Sequence, residues 1–249
     1  MKIILFLFIL TLGLFKSHFT DTMIPSAPNP SEYLVHPVSK PIKIDGNWEK
    51  QEWKNTPAAE IALHMGEKPL FSPKTQVKLR YDKNNIYGIF KVQDRYVKCL
   101  VQEINGPVST DSCVEFFFSP DVAAPLEYFN LEINCSGVPL FHYVTSPRKE
   151  YKVLDPEDIM QIEIAHSMPD KVDPEIREDV TWYIEFRMPI SILKDHRNIT
   201  PPAPGVTWKA NFYKTGSKTS NPHYFTWNEV INERPDFHLP GYFGDLTFQ

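Results

Sequence analysis

The chain has 249 residues, of which 42% are apolar, 13% aromatic and 23% charged, and its formal charge is −5. That length accommodates one sizeable core and not two full domains, and the acid surplus argues against a protein that tracks nucleic-acid phosphates. The 23 prolines against 10 glycines exclude collagen and disfavour long helical bundles, because proline interrupts helices and is confined to turns and strand edges.

Met1-Lys2 and the apolar run Ile3 to Phe15 precede Lys16, Ser17 and the polar Thr20-Asp21-Thr22. This pattern reads as a secretory signal peptide over residues 1–20. The run is too short to cross a bilayer comfortably, and no other segment approaches that length. The mature chain is therefore expected outside the cytoplasm, periplasmic or extracellular, with no membrane span. Residues 21–41, with Pro25, Pro28, Pro30, Pro37 and Pro41, read as an extended leader. The folded domain is placed at residues 42–249.

From Ile42 onward the chain is a series of short strand-like runs broken by turn signals. Gln76–Tyr81 alternates and turns at Asp82-Lys83-Asn84-Asn85 into Ile86–Val92. Cys113–Ser119, Tyr128–Cys135, Val138–Tyr143, Ile162–Ser167, Thr181–Met188, Trp208–Lys214, Tyr224–Trp227 and Phe243–Phe248 continue the pattern. Short helices are expected at Trp48–Trp53 and, after Pro189, at Ile190–Leu193. The acidic stretches Asp155–Asp158 and Asp170–Asp179 read as solvated turns, with structural calcium as their alternative. Many short strands at this spacing indicate an all-β, antiparallel sandwich, immunoglobulin- or jelly-roll-like, with one or two short helices. The odd number of cysteines (Cys99, Cys113 and Cys135) reads as buried free thiols, with Cys113 and Cys135 on opposite faces of their strands.

Side chains alternate across a strand, so each run sorts into two faces. Phe129, Leu131, Ile133 and Cys135 oppose Tyr128, Asn130, Glu132 and Asn134. Trp182, Ile184, Phe186 and Met188 oppose Tyr183, Glu185 and Arg187. Trp208, Ala210 and Phe212 oppose Lys209, Asn211 and Tyr213, and Glu115 opposes Val114 and Phe116. Trp182 and Trp208 thus belong to the core. The polar face has two open readings: a solvated outer sheet with charges paired across strands, or a surface whose planar donors, acceptors and rings hydrogen-bond a sugar. Glu115 and Glu132 as neighbours would also suit two carboxylates flanking a glycosidic bond. Such acids on a sheet surface are far commoner as ion-pair partners, and no nucleophile elbow, zinc motif or phosphate loop accompanies them. No metal ligands are assigned.

The ordered series Ile44-Asp45-Gly46 with Trp48 and Trp53, Leu79-Arg80-Tyr81-Asp82, Asp94, Asp111-Ser112-Cys113-Val114-Glu115, Trp182 with Glu185 and Pro189, Trp208 with Asn211, and Phe237-His238-Leu239-Pro240 before Phe243-Gly244 resembles the family 9 carbohydrate-binding modules. The likeness runs from about Ile42 to Phe248. It implies a non-catalytic β-sandwich that binds a mono- or oligosaccharide beside polysaccharide-degrading enzymes, without cofactor, in glycan capture or polysaccharide catabolism. It also implies a terminal sugar held between two tryptophans above acidic, amide and arginine groups. Glu115 and Asn211 match the acid and the strand amide, and Phe237 matches one clamp ring. The other clamp position falls at Pro107-Val108 and the arginine position near Asn130; His238 and Trp227 are the available substitutes. The candidate site is therefore Glu115, Asn130, Glu132, Arg187, Asn211, Phe237 and His238. Against it stands a Phe237 that only staples the closing loop, with Glu115 paired to Arg187 or Lys209. Two other function classes remain: a haem-binding electron-transfer sandwich, with Met188 and His142 or His166 as axial ligands, and a purely structural interaction module.

Overall fold

The computed structural model describes residues 30–249. The expected signal peptide and the start of the leader lie outside the described residues. In chain order the strands are β1 (Glu32–Pro37), β2 (Ala59–Ile61), β3 (Leu63–His64), β4 (Lys74–Tyr81), β5 (Asn85–Asp94), β6 (Val97–Cys99), β7 (Cys113–Ser119) and β8 (Tyr128–Asn134). They continue as β9 (Pro139–Ser146), β10 (Glu150–Val153), β11 (Glu163–His166), β12 (Val172–Ile176), β13 (Val180–Pro189), β14 (Thr207–Thr215), β15 (Tyr224–Thr226) and β16 (Gly244–Phe248). Helical turns occur at α1 (Gln51–Lys54), α2 (Pro156–Ile159) and α3 (Ser191–Lys194). The strands form the expected sandwich of two largely antiparallel layers. One layer runs β10-β9-β8-β7-β14-β16-β1 and the other β1-β4-β5-β13-β11.

β1 belongs to both layers. Its first four residues pair in parallel with β16 and its last two with β4. This corrects the placement of residues 32–37 in a leader: the folded domain begins before Ile42. Leu34 and Val35 pair with Thr247 and Phe248, and the Tyr33 hydroxyl donates to Pro57 O at 2.7 Å while accepting the Leu79 N–H at 3.0 Å. The stretch Asp155–Asp158 also differs from expectation, because Ile159 is buried and draws it into α2.

The inner faces follow the register read from alternation. Val114, Phe116, Phe118, Leu131, Ile133, Trp208 and Phe212 from one layer meet Trp182, Ile184, Phe186 and Met188 from the other in one core. Cys135 and Cys99 share that core, whereas Cys113 packs on the opposite face with Val108 and Leu140. Trp227 also belongs to the core, against Phe212 at 5.4 Å between ring centroids.

The series that opens the resemblance is a structural knot on the outside of the second layer. Glu185, fully buried on β13, accepts N–H bonds from Asp45 (2.9 Å) and Gly46 (2.7 Å) and from the Trp53 indole (2.7 Å), and it pairs with Lys50 at 2.7 Å. These donors compensate the desolvation of the carboxylate.

Trp208 stacks on Phe118 at 5.7 Å, meets Phe248 edge-on at 5.0 Å, and donates its indole N–H to Thr200 O at 2.8 Å. Truncation loses this packing and leaves a cavity. Trp208→Ala is expected to destabilise the fold by roughly 3–5 kcal/mol, read as a lower midpoint in chemical denaturation. An unchanged midpoint would contradict the packing described.

Candidate functional site

The outer face of β7, β8 and β14 is covered, not solvated. The segment from Trp227 to Phe243 folds back over it, and Phe117, Tyr128, Val144, Tyr213, Val230, Phe237 and Phe243 form a second hydrophobic cluster beneath that segment. Asn211 holds the start of the segment. Its Oδ1 accepts the N–H groups of Phe212 and Asn228, both at 2.9 Å, and its Nδ2 donates to Asn228 O at 3.1 Å. Asn228 in turn accepts from Ser31 N and donates to Tyr242 O, both at 2.7 Å. Gly244 permits this closure, since a Cβ there would lie 2.6 Å from Ser31 O.

Where the cover ends, a cavity of about 280 Å³ opens onto the sheet, lined by Glu115, Glu132, Ser109, Thr215 and Ser217 on the sheet side and by Arg148, Tyr224 and Pro235 to His238 around the mouth. Glu115 and Glu132 face each other across β7 and β8, and Tyr213 is Glu115's partner on β14. The two acids are nearly inaccessible, at 2% and 7% exposure. Neither makes a salt bridge among the described residues, so neither Arg187 nor Lys209 serves Glu115: Arg187 pairs with Glu163 at 2.8 Å and Lys209 with Asp245. Glu132 accepts one bond, from Asn130 Nδ2 at 3.0 Å, and Glu115 Oε1 has no partner.

Burial pushes the Glu115 carboxyl well above the usual range and the facing Glu132 raises it further, while Lys214 and Arg148 act in the opposite direction. Burial likewise raises Glu132 to about 7, against the lowering effects of Asn130 and Arg148. At neutral pH the pair therefore retains a proton, and its oxygens can both donate and accept.

The mouth is held by an ion pair between Arg148, in the β9–β10 turn, and Asp236 at 2.6 Å. Asp236 also accepts the His238 N–H at 2.9 Å. His238 Nδ1 bonds the Tyr128 hydroxyl at 2.7 Å, and burial lowers the imidazole to about 4, so it is neutral at pH 7. Phe237 stacks on Tyr213 at 4.1 Å and 14°, and the Tyr213 hydroxyl donates to Phe237 O at 3.1 Å.

Four of the seven candidate residues thus meet at the cavity: Glu115, Glu132, Phe237 and His238. Phe237 is less free than its proline-rich loop suggested, since Tyr213 and Tyr224 pack against it and it is only 8% exposed. Asn130 lies behind Glu132 and orients it. Asn211 is a fully buried structural latch. Arg187 belongs to the other layer, where β13 pairs with β5 and β11, and it has no part in the site. The haem reading also fails on register. Met188 faces the core, whereas His142 stands on the outer face beside Asn130. His166 pairs with Ile184, four residues and about 13 Å along the strand from Met188, and its Nδ1 contacts Met168 O at 2.8 Å. Sequence reasoning missed Arg148 and Asp236, which sit in loops with no periodicity. Tyr213 shared the parity of Asn211 and could have been found.

The profile of carbohydrate-binding family 9 matches residues 52–248. The chain belongs to that family. Among solved structures it is similar to a protein from Bacteroides uniformis ATCC 8492 provisionally described as carbohydrate-binding. The identity is 25%, with a TM-score of 0.79 over 89% of this chain and all of that one. A family 9 module from Caldicellulosiruptor kristjanssonii, solved with glucose and with cellotriose, matches at 14% identity and a TM-score of 0.59. Those matches cover 88% of this chain and 96% and 94% of the two structures, and they show likeness of fold. No curated protein matches significantly.

As a family 9 domain, the chain has no indole at this cavity. All five tryptophans are buried elsewhere, and the position before Asp111 is occupied by Val108, packed against Cys113. Ser109 and Ser217 form that wall instead, tied by the Ser217 N–H and hydroxyl to Ser109 O. Asp111 itself is structural, accepting from the N–H groups of Leu100 and Val101.

The raised Glu132 carboxyl gives a signed pH dependence. Its folded pKa of about 7 lies above the ordinary value of 4.5, so its contribution is fully present below about pH 4.5 and is lost as pH rises to about 7. His238 and His223, both lowered by burial, act in the opposite sense, losing stability as pH falls below about 6.5. The difference between Glu132→Gln and parent isolates the acid pair. Relative to the parent, the variant is expected to gain on the order of 1–3 kcal/mol between pH 4.5 and 7.5, measured by denaturation at each pH. A pH-independent difference would contradict this account.

Proposed function

We propose that the Glu115–Glu132 cavity is the saccharide site of an exported, non-catalytic carbohydrate-binding protein acting in glycan capture for polysaccharide catabolism. The observation that carries the reading is a small cavity, in a family 9 domain, that brings together a carboxyl pair, an arginine, hydroxyls and an aromatic edge. Sugar hydroxyls need planar acceptors and donors at fixed positions, and their C–H faces need apolar contact. Glu115, Glu132, Arg148, Ser109, Ser217 and Thr215 supply the first, and Phe237 with Tyr224 the second.

The volume of about 280 Å³, just below the usual ligand-pocket range of about 300–1,000 Å³, suits one sugar ring at a chain end. Glucose and cellotriose, the ligands of the Caldicellulosiruptor module, are the first to try. The two carboxyls lie side by side on one sheet face, so a sugar meets both from the same side. That arrangement binds hydroxyls and does not place an acid and a nucleophile on opposite flanks of a glycosidic bond. Saccharide binding in this form needs no cofactor. The apolar N-terminal run supports export, and among the described residues no helix is long and apolar enough to cross a membrane.

Calorimetric titration with mono- and oligosaccharides, glucose and cellotriose first, tests the site. Aromatic contact and one charge-assisted hydrogen bond together supply roughly 2–4 kcal/mol. Arg148→Ala, Phe237→Ala and Glu115→Gln, each with its fold checked, are therefore expected to weaken the best ligand by about tenfold or more. Binding at parental affinity by all three would place the saccharide elsewhere.

A further inference from the structure

Cys113 is the one polarisable donor beside the acid pair, and saccharide binding makes no use of it. Cys113 and Glu115 are two residues apart on β7, so alternation puts both on the outer face, and Glu132 is Glu115's direct partner on β8. This places Cys113 Sγ and one carboxylate oxygen from each glutamate within 4.8 Å of one another. All three side chains are buried. Two acids and a thiol brought together out of water repel one another once ionised, yet none has an ion-pair partner among the described residues. The nearest buried cation, Lys214, is committed on the inner face to Asp94 (3.2 Å), His223 (2.7 Å) and Thr215 O (2.8 Å). A second observation points to a ligand: Glu115 Oε1, at the sheet side of the cavity, is buried without any hydrogen-bond partner. A buried acceptor left without a partner costs free energy that a bound ion would recover.

We propose that Cys113, Glu115 and Glu132 bind a borderline divalent transition metal of the zinc class at the base of the cavity. The donor set selects the ion. A thiolate disfavours calcium and magnesium, which take all-oxygen shells, and sulfur with two carboxylates suits zinc or cobalt. Around a tetrahedral ion with bonds of about 2.0–2.3 Å, donors lie about 3.3–3.8 Å apart. Closing from the present spacing takes at most about 1.5 Å of side-chain movement. Three protein ligands leave a fourth position, which faces the cavity. On binding, the Cys113 thiol proton and the proton held by the acid pair pass to solvent.

The test uses cobalt(II) chloride and zinc chloride on the purified protein, freed of metal and kept reduced, with no sugar present, so its outcome is independent of the saccharide reading. One equivalent of cobalt is expected to give a thiolate-to-cobalt absorption band in the near ultraviolet, abolished by one equivalent of zinc. Cys113→Ser should remove the band, Glu132→Gln should weaken cobalt binding at least tenfold, and Cys99→Ser and Cys135→Ser should leave it unchanged. The absence of a band in the parent, or its survival in Cys113→Ser, overturns the proposal. If Cys113→Ser does not fold by circular dichroism, the near-isosteric Glu132→Gln decides, and parental cobalt affinity in that variant overturns it.

Discussion

Strands β7, β8 and β14 are buried on both faces, and the site follows from that constraint. Their inner side chains meet the second layer in the main core, and their outer ones lie beneath the segment from Trp227 to Phe243. Polar groups on the outer face are therefore removed from water and must find partners inside the protein. Most do. Asn211 binds Asn228, Tyr128 binds His238, Tyr213 binds the Phe237 carbonyl, and Asn134 Nδ2 reaches Asp111 at 3.2 Å and Val101 O at 3.0 Å. The pairing is incomplete around the acid pair, where Glu115 Oε1 and Asn130 Oδ1 have no partner and Glu132 accepts a single bond, and that is where the cover stops and the cavity begins.

The molecule contains two solutions to burying charge. Around Glu185 and around Lys214, each charged group is surrounded by donors or acceptors of the matching kind, and these clusters lock loops and layers together. The Glu115–Glu132 pair has like charge on like charge and a single internal donor, Asn130. A pair in that state is stable when protonated, when it meets a ligand that donates hydrogen bonds, or when it meets a cation.

The same contrast explains why family membership is easier to read than binding. Trp53, Asp94, Asp111, Glu185 and Asn211, which carry much of the resemblance, hold the scaffold, bonding loop N–H groups, pairing Lys214 or fixing the closing segment. Glu115, Phe237 and His238 reach the cavity, which no tryptophan lines.

The sequence by itself determined the class of fold and the inward parity of Trp182, Trp208 and their neighbours, because alternation along a strand is a local property; that Glu115 stands opposite Glu132 is a matter of register between β7 and β8, which the fold decided. It also pointed to the loop of Phe237 and His238. Only the tertiary structure decided which polar faces belong together. Alternation says that Arg187 and Glu115 both point outward, but not that they point outward from opposite layers, since that depends on strand order across the sandwich. Nor could it show that residues 32–37 join the sheet, because β1's pairing partners lie at β16 and β4, and parallel pairing with distant strands leaves no local turn signal. Arg148 and Asp236 come from aperiodic loops 88 residues apart, and their meeting at the mouth of the cavity is a product of the closed fold alone.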